Sequence, residues 1–187
     1  ELHNNHHTYP TSAKFSVKPY EFDIGWGYIR ALEMVGLARV KKVPPKLQLG
    51  SIQPVADEKT LEALIAHRYE VMAGFARALR DAGKAEVAAL KSKNVDASVL
   101  RAANRWLHRD DDKVPASAKP QLAQARAEHP VLDKMVIMRE ELRQMWLTTS
   151  ASREQLTADL QGWCHRAEQS GIAALNEFSM KLRAARA

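Results

Sequence analysis

From about residue 57 onward, apolar residues recur at intervals of three, four and seven, which places them on one stripe of a helix with about 3.6 residues per turn. Leu61, Leu64, Ile65, Met72, Phe75, Ala76 and Leu79 predict one amphipathic helix from about Asp57 to Asp81, which Gly83 ends or only dents. A weaker helix follows around Ser98 to His108, then an acidic, proline-containing loop from Asp110 to Pro120. Gln121 to Glu128 reads as helical, and Pro130 opens the next helix in its first turn, where an absent N–H leaves no bond unmade. That helix carries Leu132, Met135, Val136, Leu142, Met145 and Trp146 at a and d spacing. Ser152 with Gln155 offers a capping box for another, bearing Leu156, Leu160, Trp163 and Ala167. Gly171 punctuates, and Ile172, Leu175, Phe178 and Leu182 form the last stripe.

The front of the chain follows a different pattern. Pro10 and Pro19 push their predecessors away from helix, so residues 8 to 22 read as irregular extended loop. Asp23 then caps a helix running to about Val40, whose apolar residues Ile24, Trp26, Tyr28, Ile29, Leu32, Met34, Val35 and Leu37 cover most of its circumference. A helix of that kind wants neighbours on two sides. Lys41 to Ala56, with Pro44, Pro45 and Pro54, is a linker. No alternating β-branched run appears, so the expected fold class is all-α: a short irregular N-terminal segment and one helix over residues 1–45, then a small antiparallel helical bundle over 46–187.

Composition narrows the classes. The 187 residues, 45% hydrophobic and 27% charged, with a mean hydropathy of −0.39, describe a soluble globular chain and exclude a disordered tail. One cysteine excludes a disulfide framework and any multi-cysteine zinc module, and fits a reducing compartment. No run of about 18 apolar residues is present to span a bilayer. The chain starts with Glu1 and reads as cut from something longer. Net charge is +6; seven Lys and Arg against four Asp and Glu up to residue 56 give +3, and 21 against 18 after it give +3. Because the later charges alternate in sign, they read as an ordinary solvated helical surface, and the expectation is no nucleic-acid partner.

His3, His6 and His7 pack three imidazoles into five residues. Neutral imidazole suits iron, zinc and copper. On a helix His3 shares a face with His6 and His7, but those two diverge by about 100°, so two neighbouring metals fit better than one. A cloning remnant is the alternative origin of such a cluster. Other candidates carry less. Cys164 and His165 are adjacent and diverge by about 100° on a helix, which makes a Cys/His dyad a poor reading. His108 to Asp112 lacks the glycine and distal glutamate of a calcium loop. Gly25 and Gly27 form no phosphate loop, and Met135, Met138, Met145, Trp146 and Trp163 read as core.

Glu1 to Pro10, Ser12 to Ser16 and Glu21 to Trp26, continuing through Leu37 to Val40, resemble the end of the membrane-bound fatty acid desaturases, bacterial delta-9 acyl-CoA type. His3-Asn4-Asn5-His6-His7 resembles that family's third histidine box. The resemblance implies an oxygen-dependent, non-haem di-iron enzyme that introduces a cis double bond into a saturated acyl chain. It implies His3, His6 and His7 as ligands of two Fe ions, the other ligands coming from two boxes absent here, so the isolated chain is expected to be inactive. It further implies a fatty acyl-CoA or phospholipid acyl chain as substrate and a ferredoxin or flavin reductase as electron donor. The implied location is the bacterial inner membrane, reached through upstream helices, with this portion on the cytoplasmic side. The helix from Asp23 then presses on the membrane-side core or lipid, or else caps the tail bundle.

The tail resembles two things. Met145 to Ser150 and Trp163 to Phe178 look like a helical extension behind some desaturases, while Trp163 followed by Ala167, Ser170-Gly171-Ile172 and Leu175 resembles the C-terminal ends of insertion-sequence transposases. The front tips the reading towards desaturase. The alternative is a helical DNA- or protein-binding module related to those transposase tails.

Overall fold

The computed structural model describes residues 12–16, 22–43, 48–148 and 150–186. The chain divides into two compact units, Glu1–Leu47 and Gln48–Ala187.

In the first unit α1 spans Ile24–Met34. The Asp23 carboxylate caps it, accepting from Trp26 N at 2.8 Å, and accepts also from Phe15 N at 2.8 Å and Ser16 N at 2.9 Å. Burial raises the Asp23 pKa, but these three backbone donors and the nearby Lys14 charge outweigh it and hold the carboxyl below its ordinary range. The helix stops at Met34, short of the expected Val40. Gly36 at φ +76° takes the left-handed turn that few other residues adopt, and Leu37 N returns to Leu32 O at 2.9 Å. No residue of α1 is buried.

The second unit is a helical bundle: α2 Glu58–Ala66, α3 Arg68–Ser92, α4 Ser98–Ala103, α5 Lys119–Glu128, α6 Pro130–Leu147, α7 Arg153–Gln169 and α8 Ala173–Arg183. Single turns of 3-10 helix at Asp111–Lys113 and Ala116–Ala118 fill the acidic loop. A two-residue antiparallel ladder, β1 Gln48–Leu49 against β2 Ala185–Arg186, joins the two ends of the unit. The all-α class holds.

Two details differ from the periodicity. The helix expected over Asp57 to Asp81 is two helices, broken at the buried His67, whose backbone sits at φ −108° and ψ 18°. Leu64 and Val71 are seven residues apart and both buried, so the apolar stripe passes the break in phase and conceals it. Gly83 neither ends nor dents α3. It lies buried where Asn104, just past α4, crosses the helix, and any Cβ there would overlap the Asn104 amide. Asn104 Nδ2 reaches the Arg80 carbonyl at 3.4 Å, so glycine at 83 lets α4 lie close against α3.

The core is built on three rings. Phe75 of α3, Trp163 of α7 and Phe178 of α8 meet edge to face, with centroids 4.8 to 6.2 Å apart. The indole N–H of fully buried Trp163 donates to Met138 O of α6 at 2.8 Å. Leu61, Leu64, Leu79, Met135, Leu142, Leu160 and Leu175 close around them. Ser152 caps α7 by accepting from Gln155 N at 3.2 Å, and Gly171 turns the chain into α8 at φ +69°. Trp163→Ala is expected to cost about 3–5 kcal/mol of unfolding free energy in urea, and Trp163→Phe less. Equal losses from the two would show that a buried ring at 163 contributes nothing without the indole's own size and hydrogen bond.

Candidate nucleic-acid interface

Positive charge in the second unit is gathered on α3, on α4 and on the turns that follow them. Between residues 77 and 109 there are eight Lys and Arg against three Asp and Glu, a net +5; the other residues after position 56 hold 13 against 15, a net −2. On α3, Arg77, Arg80, Lys84 and Lys91 follow spacings of three, four and seven and form one exposed stripe. Arg101 on α4, then Arg105 and Arg109 on the turns that continue it, repeat every four residues and are exposed. The Gly83 and Asn104 contact sets these two rows side by side.

The rows act on a common point. Half-buried His108 is held below the ordinary imidazole pKa first by burial, then by the charges of Arg109, Arg80 and Arg139. Among the described residues Arg77, Arg80, Arg101, Arg105 and Arg109 have no carboxylate at ion-pair distance, whereas Arg126, Arg166 and Arg183 each have one and Arg153 has two. The unneutralised guanidiniums are thus concentrated on α3 and α4. The Arg105 guanidinium lies 5.8 Å from the centre of the half-buried Trp106 ring.

Asp110 anchors the edge of this surface. Its Oδ1 accepts from Arg139 Nη2 at 2.8 Å and lies 3.4 Å from Arg143 Nε, while its Oδ2 is 3.4 Å from Lys113 Nζ. Burial alone would raise its pKa; the Arg139 hydrogen bond and charge, with Arg143 and Lys113, overcome that and leave it below the usual carboxylate range. Beside it, α5, α6 and α7 enclose an open groove of about 710 Å³. Four arginines and four carboxylates line the groove, so its charge is balanced and it draws neither ion preferentially.

The three histidines singled out in the sequence, His3, His6 and His7, lie outside the described residues, and so do the two Fe ions read onto them. Among the described residues no three His, Cys, Asp or Glu side chains converge as a metal site. Cys164 is buried, and burial pushes its thiol pKa up, while His165 is exposed; the two form no dyad. Asp110 and Asp111 of the acidic loop are engaged by Arg139 and Lys119. Reading charge over the whole tail hid the α3 and α4 rows, which a shorter window along the chain exposes.

An all-helical unit with one cationic face and a neutral groove has the build of a nucleic-acid-contacting module. The chain belongs to the DDE transposases of the ISL3 type: that family's model, described as a transposase, matches residues 55–187. Shorter likenesses run elsewhere. The chain is 41% identical over 46 residues to delta-9 acyl-lipid desaturase 1 of Arabidopsis thaliana, 25% of this chain and 15% of that protein. It is 39% identical over 49 residues to sn-1 stearoyl-lipid 9-desaturase of Synechocystis, 26% and 15% of the two chains. With sn-2 palmitoyl-lipid 9-desaturase of Nostoc it shares 47% over 45 residues, 24% and 16%. The chain thus spans about one sixth of these relatives' length or less. No solved structure matches the chain.

The transposase match corrects the reading of the chain as an acyl desaturase, and with it the oxidoreductase activity, lipid-metabolism role, acyl substrate and electron-donor partners. It also corrects the expectation of no nucleic-acid partner. A five-residue histidine box and its flanks are a local pattern, whereas the transposase match takes in the whole helical core from Ala56 to Ala185. Among the described residues no helix is long and apolar enough to cross a membrane.

The Asp110 network makes a pH prediction. Because its pKa is depressed in the fold, the pairing stabilises fully above the ordinary carboxylate value of about 3.9 and is lost as pH falls through the lower folded value. Asp110→Asn is expected to lower unfolding free energy by about 1–3 kcal/mol at neutral pH, with the gap from wild type closing as acid is added. A gap that persists unchanged into acid in urea melts would show that the charge of Asp110 is not what matters.

Proposed function

We propose that residues 55–187 are a DNA-contacting helical part of an ISL3-type transposase, and that the α3 and α4 rows are the contacting face. The observation that carries this is the segregation of charge: +5 within residues 77 to 109 against −2 over the remainder after position 56. Phosphate contacts made by Lys and Arg release condensed counterions, so such a face binds DNA tightly at low salt and loosely at high salt. The balanced groove offers no comparable attraction for a polyanion, which favours α3 and α4 as the contacting face. Family membership supports the same assignment, because transposition acts on DNA.

Fluorescence anisotropy of the 187-residue chain with a labelled duplex tests the reading. Replacing Arg80, Arg105 and Arg109 together by alanine is expected to weaken binding at least about tenfold at low salt and to flatten the slope of log K against log salt by about 3. Arg166→Ala, which removes an arginine of the balanced groove that is paired with Glu141, is expected to change affinity less than about twofold. Equal losses from both variants would defeat the assignment.

A further inference from the structure

We propose, resting on the DNA-binding reading above, that the α3 and α4 face grips the phosphate backbone of duplex DNA across the seam between the two helices, stays outside the major groove, and so binds without regard to base sequence. Three observations carry this.

Width is the first. The major groove is about 12 Å wide and admits one α-helix. Here the cations sit on α3 and on the short α4 with the turns that continue it, held against each other by Gly83 and Asn104, and the two packed segments, each about 10–12 Å across, present a surface of roughly 20 Å. That surface lies over the groove edges and meets phosphates.

The second is the choice of side chains. Arg and Lys read guanine through O6 and N7, Asn and Gln read adenine edges, and Ser and Thr read several bases, by hydrogen bonds in the groove, so a face with cations alone has guanine as its one base target, and only where a side chain enters the groove. Along α3 from Arg77 to Lys91 the exposed residues are Arg, Lys, Ala and one Asp, with no amide or hydroxyl among them. The one amide at the seam, Asn104, is turned inward against Gly83 and the Arg80 carbonyl. The alanines leave a flat surface between the cations. With a rise of about 1.5 Å per residue, Arg77 to Lys91 extends about 21 Å, the length of about six phosphates on one strand.

Aromatic content is the third. Single strands are held by successive bases stacked on exposed rings. The one ring at this face, Trp106, is half-buried and lies beside the Arg105 guanidinium. This favours duplex over single strand.

The test uses the 187-residue chain and labelled duplexes of about 30 base pairs in salt titrations. For six contacting cations, Arg77, Arg80, Lys91, Arg101, Arg105 and Arg109, the expected slope of log K against log salt is about −5. Shuffling the sequence, or replacing purines by 7-deaza analogues that lack the major-groove N7 acceptor, is expected to alter Kd less than about threefold. Arg80→Lys and Arg105→Lys, which keep the charge and lose the forked guanidinium, are expected to keep the slope. Single-stranded DNA and polyglutamate should bind more weakly than duplex. A tenfold or greater dependence on sequence or on N7, with duplex binding retained, would overturn the backbone grip and leave the DNA-binding reading standing. Preference for single strand or polyglutamate would also overturn the grip. No binding to any duplex at low salt would overturn both.

Discussion

Register in the bundle depends on one buried indole. Trp163 has no solvent exposure, so its N–H needs a partner inside the protein, and Met138 O supplies it at 2.8 Å. That bond fixes how α7 lies along α6, while Phe75 and Phe178 against the same ring fix α3 and α8. The residue after Met138 is Arg139, whose guanidinium reaches Asp110 at 2.8 Å. Asp110 ends the turns that follow α4. The core therefore sets the position of α4 through a short succession of contacts: ring, carbonyl, guanidinium, carboxylate.

Placing like charges in two adjoining rows works against folding. At physiological salt the screening length is about 8 Å, so exposed cations a helical turn apart still repel, each by a fraction of a kcal/mol. Two features contain the cost. Asp110 neutralises the cations at the inner edge of the surface, Arg139, Arg143 and Lys113, and the outer rows face solvent. The remaining repulsion is small beside the burial of Trp163, Phe75 and the leucines around them. Packing thus carries the stability, and the charge rows contribute little to it.

Much of the bundle was legible because its apolar spacing is regular. Pro130 begins α6, Ser152 caps α7 and Gly171 turns into α8, each by a local rule that needs no tertiary knowledge. The break at His67 was not legible, since the buried stripe continues across it in phase. Gly83 was misleading for a related reason. A glycine inside a helical pattern reads as a weakness, and only the approach of Asn104, 21 positions later, gives it a purpose.

The histidine cluster and the cationic face were weighed in opposite directions by the same habit of scale. Three imidazoles within five residues are a local signal, and with the resemblance of the first forty residues around them they point to a metal enzyme. The cationic face is local too, but it was averaged over the whole tail, where +5 and −2 merge into an unremarkable +3. Helix geometry gives the right window: cations three, four and seven apart share a face, and cations scattered at other spacings do not. Seen through that window, α3 and α4 carry unpaired guanidiniums on one side, while the arginines of α7 and α8 are tied to Glu58, Glu62, Glu141 and Glu168. What separates a binding face from a solvated surface is which charges lack partners, and that follows from the fold more than from composition.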